Sequence, residues 1–250
     1  MNEAASLALA TLAFTGTHLL MSHPLRPALA GRLGEPGFMA VYSLVSAATL
    51  GWMILAWRSV PEAEPLWIAP LWWWRAASVL MLLALILLAG SFVRNPSLPH
   101  PGAEPRAIRR ATGVFAITRH PMNWGFILWA AVHISLWGSH RNLIVASGIL
   151  ILAWAGSLGQ DRRKAATLGE PWRDWQARTS FLPFAALFGG RVPWRAAWPG
   201  LAPLLIGLLL WLAITWYHAP MVSPVGQLGR GIGLAHHIAF VNEMALKATE

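Results

Sequence analysis

The sequence predicts an all-α fold: a polytopic integral membrane helical bundle of about six transmembrane helices, with both termini outside. Three observations carry this. Charged residues are 12% of the 250, about half the share of a soluble domain. Hydrophobic residues are 56% and the mean hydropathy is +0.50, too apolar to clothe a water-facing surface and equally unlike a disordered chain. Apolar runs of roughly 17–21 residues recur along the chain, enough to cross a bilayer core.

The spans follow in order. Ala4–Ser22 is the first; it lacks a basic n-region and a small-residue cleavage site, so it is expected to stay in the mature protein. Gly34-Glu35-Pro36 makes a turn that opens the second span, Gly37–Trp57. Leu66–Trp74 is expected in the outer interface, ahead of a third span at Ala76–Val93. Pro96, Pro99, Pro101 and Pro105 break the next loop. Met122–Gly138, Asn142–Leu158 and Leu201–Tyr217 are spans four to six. The chain after Pro220 is less apolar, and Gly231–Met244 reads as a short amphipathic helix on the outer surface.

The net charge of +9 has a topological meaning. Loop one carries Arg26 and Arg32, and loop three carries Arg94, Arg106, Arg109, Arg110 and Arg119. Loop five carries Arg162, Arg163, Lys164, Arg173, Arg178, Arg191 and Arg195. The opposite side has only Arg58, Arg75, Arg141, Arg230 and Lys247, so fourteen of nineteen basic residues share one face. The positive-inside rule makes that face cytoplasmic and both termini periplasmic, in a bacterial inner membrane. The charge then contacts anionic lipid. With no basic face on a folded module, nucleic acid is excluded as a partner.

Zero cysteines exclude disulfides, zinc–thiolate sites, iron–sulfur clusters and a cysteine nucleophile. A metal would have to use some of the nine histidines, the few acids or the methionines. Of the sixteen tryptophans, many sit at span ends, as an interfacial aromatic belt does: Trp57, Trp67, Trp72, Trp73, Trp74, Trp124, Trp137, Trp211 and Trp216.

Ionisable or ligating residues inside spans are costly and therefore candidates for function. His18 lies in the inner half of span one and His133 midway along span four, while His120 immediately precedes span four. Imidazole ligates haem iron, and bundle cores hold cofactors, so His18 and His133 could bind one iron from two helices. Gly16 and Ala130 leave room for a flat macrocycle. The other reading is that each histidine bonds a neighbouring helix. His18 is about 6 Å from the inner end of its span and His133 about 16 Å, so a shared iron requires tilt or span edges that lie a few residues elsewhere. Arg119, Arg109 and Arg110 could pair haem propionates or lipid phosphates, or serve only as cytoplasmic charge.

Phe14-Thr15-Gly16-Thr17-His18-Leu19, Arg26 through Leu33-Gly34-Glu35, and Tyr42-Ser43-Leu44 resemble the opening of the NnrU family. Gly113-Val114-Phe115-Ala116-Ile117-Thr118-Arg119-His120-Pro121-Met122, with Trp124-Gly125-Phe126 and Trp129 to His133, resembles its central signature. The resemblance implies an NnrU-like membrane domain over residues 1–192 with five spans. Residues 193–250 then add a further span and a periplasmic tail. It implies a haem b protein linked to nitrite and nitric oxide metabolism in denitrification. The family includes the 15-cis-zeta-carotene isomerase of plants, a haem b enzyme. A haem-dependent isomerase of a lipophilic polyene in carotenoid biosynthesis is therefore the alternative, with nitric oxide or the polyene as ligand. Its ligand histidines align with His18 and His133; His120 and Arg119 would support the cofactor. A cysteine that this isomerase has three residues before the second histidine is Ala130 here, which excludes a cysteine-based ligand switch.

A more distant resemblance joins Arg119-His120-Pro121 and Gly125 to Asp161-Arg162-Arg163, Gly169-Glu170-Pro171-Trp172 and Thr179-Ser180-Phe181-Leu182-Pro183. This pattern is similar to isoprenylcysteine carboxyl methyltransferase-type membrane proteins and implies S-adenosylmethionine at the cytoplasmic face. Asn123 and the lone Asp161 depart from it.

Overall fold

The computed structural model describes residues 2–61, 63–93, 95, 110–219 and 221–224. The proline-broken stretch, Arg94, Arg106, Arg109 and the amphipathic helix expected at Gly231–Met244 lie outside the described residues.

The first helix, α1 (Glu3–Ser22), opens on Asn2, whose side chain accepts the Ala5 N–H at 2.8 Å, with Glu3 against the positive helix end. The second, α2 (Arg26–Ser59), is interrupted at Gly34, where φ is 68°. Glycine takes that left-handed conformation without a Cβ penalty, and Pro36 restarts the helix, as the Gly-Glu-Pro turn predicted. Then come α3 (Leu71–Ser91), a single turn α4 (Val114–Ile117), α5 (Pro121–Leu136) and α6 (His140–Leu168). The chain ends in α7 (Glu170–Arg178), α8 (Ala185–Phe188), a 3-10 turn at Trp194–Ala197 and α9 (Leu201–His218).

Among the described residues five helices are long and apolar enough to cross a membrane: α1, α2, α3, α6 and α9. The expected fourth span is α5, whose sixteen residues rise about 24 Å, short of a hydrocarbon core of about 30 Å. Its position explains why a shorter helix suffices. α5 packs between α3 and α6, and Phe126, 42% exposed, is the most exposed of its large apolar side chains. At Gly125 an added Cβ would lie 3.0 Å from the Ala84 carbonyl oxygen, so the two backbones pass closely.

The helices neighbour one another in the order α2, α1, α6, α5, α3, α9. Small residues make the close crossings. Gly148 of α6 lies under Thr11 of α1, and Gly207 of α9 lies on Ile86 of α3, where a Cβ would meet the backbone nitrogen at 3.0 Å. The side chains that remain exposed along these helices are largely leucine, isoleucine and tryptophan, as lipid contact requires.

The helix directions put Ser22, Arg26, Ser91, Pro121 and Leu168 at one end, here the basic end, and Ser59, Leu71, Leu136, His140 and His218 at the far end. At the far end the segment before α3 bridges to Trp137: Leu66 N–H donates to Gly138 O at 3.1 Å, and Gly138 N–H to Trp67 O at 3.0 Å. Gly138 is required there, because a Cβ would enter the Trp67 ring at 2.5 Å.

Candidate functional site

A cavity of about 720 Å³ opens in the far half of the bundle. Residues of α2, α3, α5, α6 and α9 all contribute to its wall, and the chain after α9 adds Met221 and Val222. The lining is largely apolar and aromatic, with Met53, Trp57, Trp74, Met81, Trp129, Trp137 and Trp211. Its polar groups are few: His133, His218, Arg141, Asn142, Ser78 and Thr215. That combination of size, greasy wall and sparse polar groups is typical of a cofactor or ligand site.

His133 is held in one tautomer. Its Nδ1 lies 2.8 Å from the Trp129 carbonyl oxygen one turn earlier, and a carbonyl only accepts, so Nδ1 carries the proton. Nε2 then keeps its lone pair, the form that ligates a metal. The Trp129 ring covers the imidazole at 4.3 Å between centroids. Asn142 ties the turn down by donating to the His133 carbonyl at 2.8 Å and to that of Trp137. The His218 ring stacks on His133 at 5.9 Å, with planes 27° apart. Arg141 lies over the Trp57 ring at 4.6 Å.

His18 has the same local chemistry in another place. Its Nδ1 lies 2.9 Å from the Phe14 carbonyl oxygen, leaving Nε2 uncommitted. Its ring neighbours are Phe14 at 4.3 Å and Tyr42 at 5.3 Å, and it does not line the cavity. The axial offset follows from two hydrogen bonds to α6: Asn142 reaches His133, and Thr15 Oγ1 donates to Gly148 O at 3.3 Å. Six residues from Asn142 to Gly148 and three from Thr15 to His18 place His18 about 13 Å nearer the basic end. The structure therefore does not bring His18 and His133 to one point. Tilt does not close the gap, because α1 is registered on α6 by Gly148.

Arg119 and His120 form a different constellation, at the basic end. Arg119 Nε and Nη2 both donate to Asp161 Oδ2 at 2.7 Å. His120 places Nε2 3.0 Å from Asp161 Oδ1 and Nδ1 3.0 Å from Gln160 Oε1. The segment 179–181 clamps this corner: Arg119 N–H donates to Ser180 O at 2.9 Å, Thr118 Oγ1 to Phe181 O at 2.7 Å and Trp124 Nε1 to Phe181 O at 2.8 Å. Thirteen residues of helix, about 20 Å, separate His120 from His133. Both ring nitrogens of His120 and both oxygens of Asp161 are occupied. The basic and acidic groups that the methyltransferase resemblance would present to a cofactor are bonded to each other.

From the sequence His218 reads as an interfacial histidine near a span end and Arg141 as outer-side charge. Distance from the far end was the available signal: His133 is three residues from the end of α5, His218 ends α9, and Arg141 opens α6. All three side chains sit at or near helix ends on the far side of the bundle.

The chain matches the family described as NnrU protein over residues 6–224. It belongs to the NnrU family. The match includes α9 and every residue that lines the cavity. The NnrU chain is also similar to the 15-cis-zeta-carotene isomerase, chloroplastic, of Arabidopsis thaliana, with 41% identity over 89 residues, 35% of this chain and 24% of that one. The protein of the same name from Zea mays is 35% identical over 89 residues, with the same coverage. The match thus spans about a quarter of the length of these curated relatives. No solved structure matches the NnrU chain.

Proposed function

We propose that this NnrU protein holds haem b in the far-end cavity through His133 and acts there on a lipophilic polyene, as a cis–trans isomerase of the kind its plant relatives are named for. The observation that carries this is an uncommitted His133 Nε2 at the wall of a roomy, apolar, tryptophan-lined cavity. The donor set fits haem. An imidazole nitrogen suits the iron, flat indole rings suit a macrocycle, and Arg141 at the rim suits a propionate. When bound, haem supplies an iron centre able to lend electron density to a conjugated double bond.

The protein's own groups do the remaining work. The Nδ1–H bond to Trp129 fixes the imidazole orientation and raises the basicity of Nε2. Apolar walls exclude water and take a hydrocarbon chain. Among the described residues α2 and α9, the ends of the helix order, share no extensive contact, and a lipid-soluble substrate would enter from the membrane between them.

A haem role in nitrite or nitric oxide metabolism, in a bacterial inner membrane, is the second reading, because the same cavity would admit a small gas to the iron. His18 has the free Nε2 of a ligand, and sharing one iron with His133 would need α1 to slide by about two helical turns along α6.

Absorption spectra of the purified protein, oxidised and reduced, test the proposal, together with conversion of 15-cis-zeta-carotene in cells making the preceding carotenoid enzymes. The expected result is a Soret band lost in His133→Ala and retained in His18→Ala, with conversion by the wild type. Haem loading without conversion would leave the gas-binding reading. No haem under haem-replete expression would sink both.

A further inference from the structure

Where α1 turns into α2 at the basic end, four basic side chains crowd together: His23, Arg26, Arg163 and Lys164. His23 lies on α6 over Gly159, where a Cβ would come within 2.5 Å of the imidazole. Arg163 is one turn further along that helix face, and its charge acts on both His23 and Lys164, as that of Arg26 acts on Arg163, with Glu35 and Tyr42 acting in the opposite sense. Arg163 and Lys164 are half-buried. Among the described residues no carboxylate lies within ion-pair distance of either one; Glu35 bonds Arg26 at 2.8 Å, and Asp161 is committed to Arg119 and His120. Two nitrogens in the cluster, His23 Nδ1 and Arg163 Nε, are shielded from solvent and have no hydrogen-bond partner.

Half-buried like charges repel, and a shielded N–H without an acceptor loses its hydration for nothing. One anion with several acceptor oxygens would relieve both deficits. Phosphate is the anion whose oxygens suit a guanidinium edge, an imidazole N–H and an ammonium together. The surroundings distinguish a lipid from a free ion. Leu20, Leu25 and Leu33 beside the cluster are 52%, 46% and 46% exposed, apolar surface that acyl chains would cover. We infer that His23, Arg163 and Lys164, with the remaining edge of Arg26, form a site for the phosphate of an anionic phospholipid headgroup. This site does not depend on the haem proposal.

The test uses the full chain in detergent. Phosphatidylglycerol, phosphatidylcholine and inorganic phosphate are titrated, with bound lipid read by native mass spectrometry and the melting midpoint by scanning fluorimetry. Phosphatidylglycerol should bind and raise the midpoint, phosphatidylcholine should not, and inorganic phosphate should have little effect. Arg163→Gln and Lys164→Gln should each weaken phosphatidylglycerol binding by about ten-fold. Arg173→Gln, at an exposed pair with Glu170, should not. Without anionic lipid, Arg163→Gln should melt no lower than wild type, because it removes repulsion; this also checks that the variant folds. Equal phosphatidylglycerol affinity in wild type and both variants would overturn the site. Protection by inorganic phosphate equal to that by lipid would overturn the lipid assignment.

Discussion

His133 of α5 and His218 of α9 stack at the cavity wall with ring centroids 5.9 Å apart. The pair ties the fate of α9 to that of the candidate cofactor. His218→Ala should therefore shift the haem spectrum or weaken small-ligand binding, while His18→Ala leaves both unchanged. Spectra and ligand titrations of the two variants decide it, and the reverse pattern would return the second imidazole to α1.

Gly207 holds α9 close to α3. Gly207→Ala puts a methyl 2.7 Å from Ile86 Cγ1 and 3.0 Å from the Ile86 backbone nitrogen, so backbone must move. A loss of about 1–3 kcal/mol is expected, since overpacking a close crossing has that cost. Gly16→Ala, with open space around it, should be nearly silent. Thermal melts of both in one detergent are the comparison.

Asp161 neutralises Arg119 and accepts from His120 in a corner where its side chain is 8% exposed. Asp161→Asn strands a largely buried guanidinium, and a loss of about 3–5 kcal/mol follows from breaking such a pair. A double-mutant cycle with Arg119→Gln should return a large coupling between the two sites. An additive cycle would show that the corner is held by the Thr118 and Trp124 bonds to Phe181 instead.

His23 lies outside the spans, and burial, followed by the nearby charge of Arg163, holds its pKa below 6.5. At mildly acidic pH the unfolded chain then binds the proton more readily than the folded one. The stability contribution is complete above the unfolded pKa and is lost as pH falls below it toward the folded value. Without anionic lipid, His23→Gln should flatten the fall in melting midpoint between about pH 7.5 and 5.5 relative to wild type. Unchanged slopes would mean His23 titrates alike in both states. A bound phosphate should shift the wild-type inflection upward.

Residue types along one chain were enough for the membrane class, the positions of most spans, the basic face and the Gly34 kink. Each follows from a local rule: apolar length against bilayer thickness, lysine and arginine counts by side, and a glycine–proline break. The same local rules mark His18, His120, Arg119 and His133 for one haem site, and already set His18 and His133 about 10 Å apart in depth. Tertiary packing separated them into three places. Register between helices is set by contacts such as Thr11 on Gly148, which have no periodic signature in the sequence. That register puts His18 about 13 Å from the level of His133. It also brings His218 and Arg141, two ordinary-looking residues at helix ends, to the wall of the cavity that His133 lines.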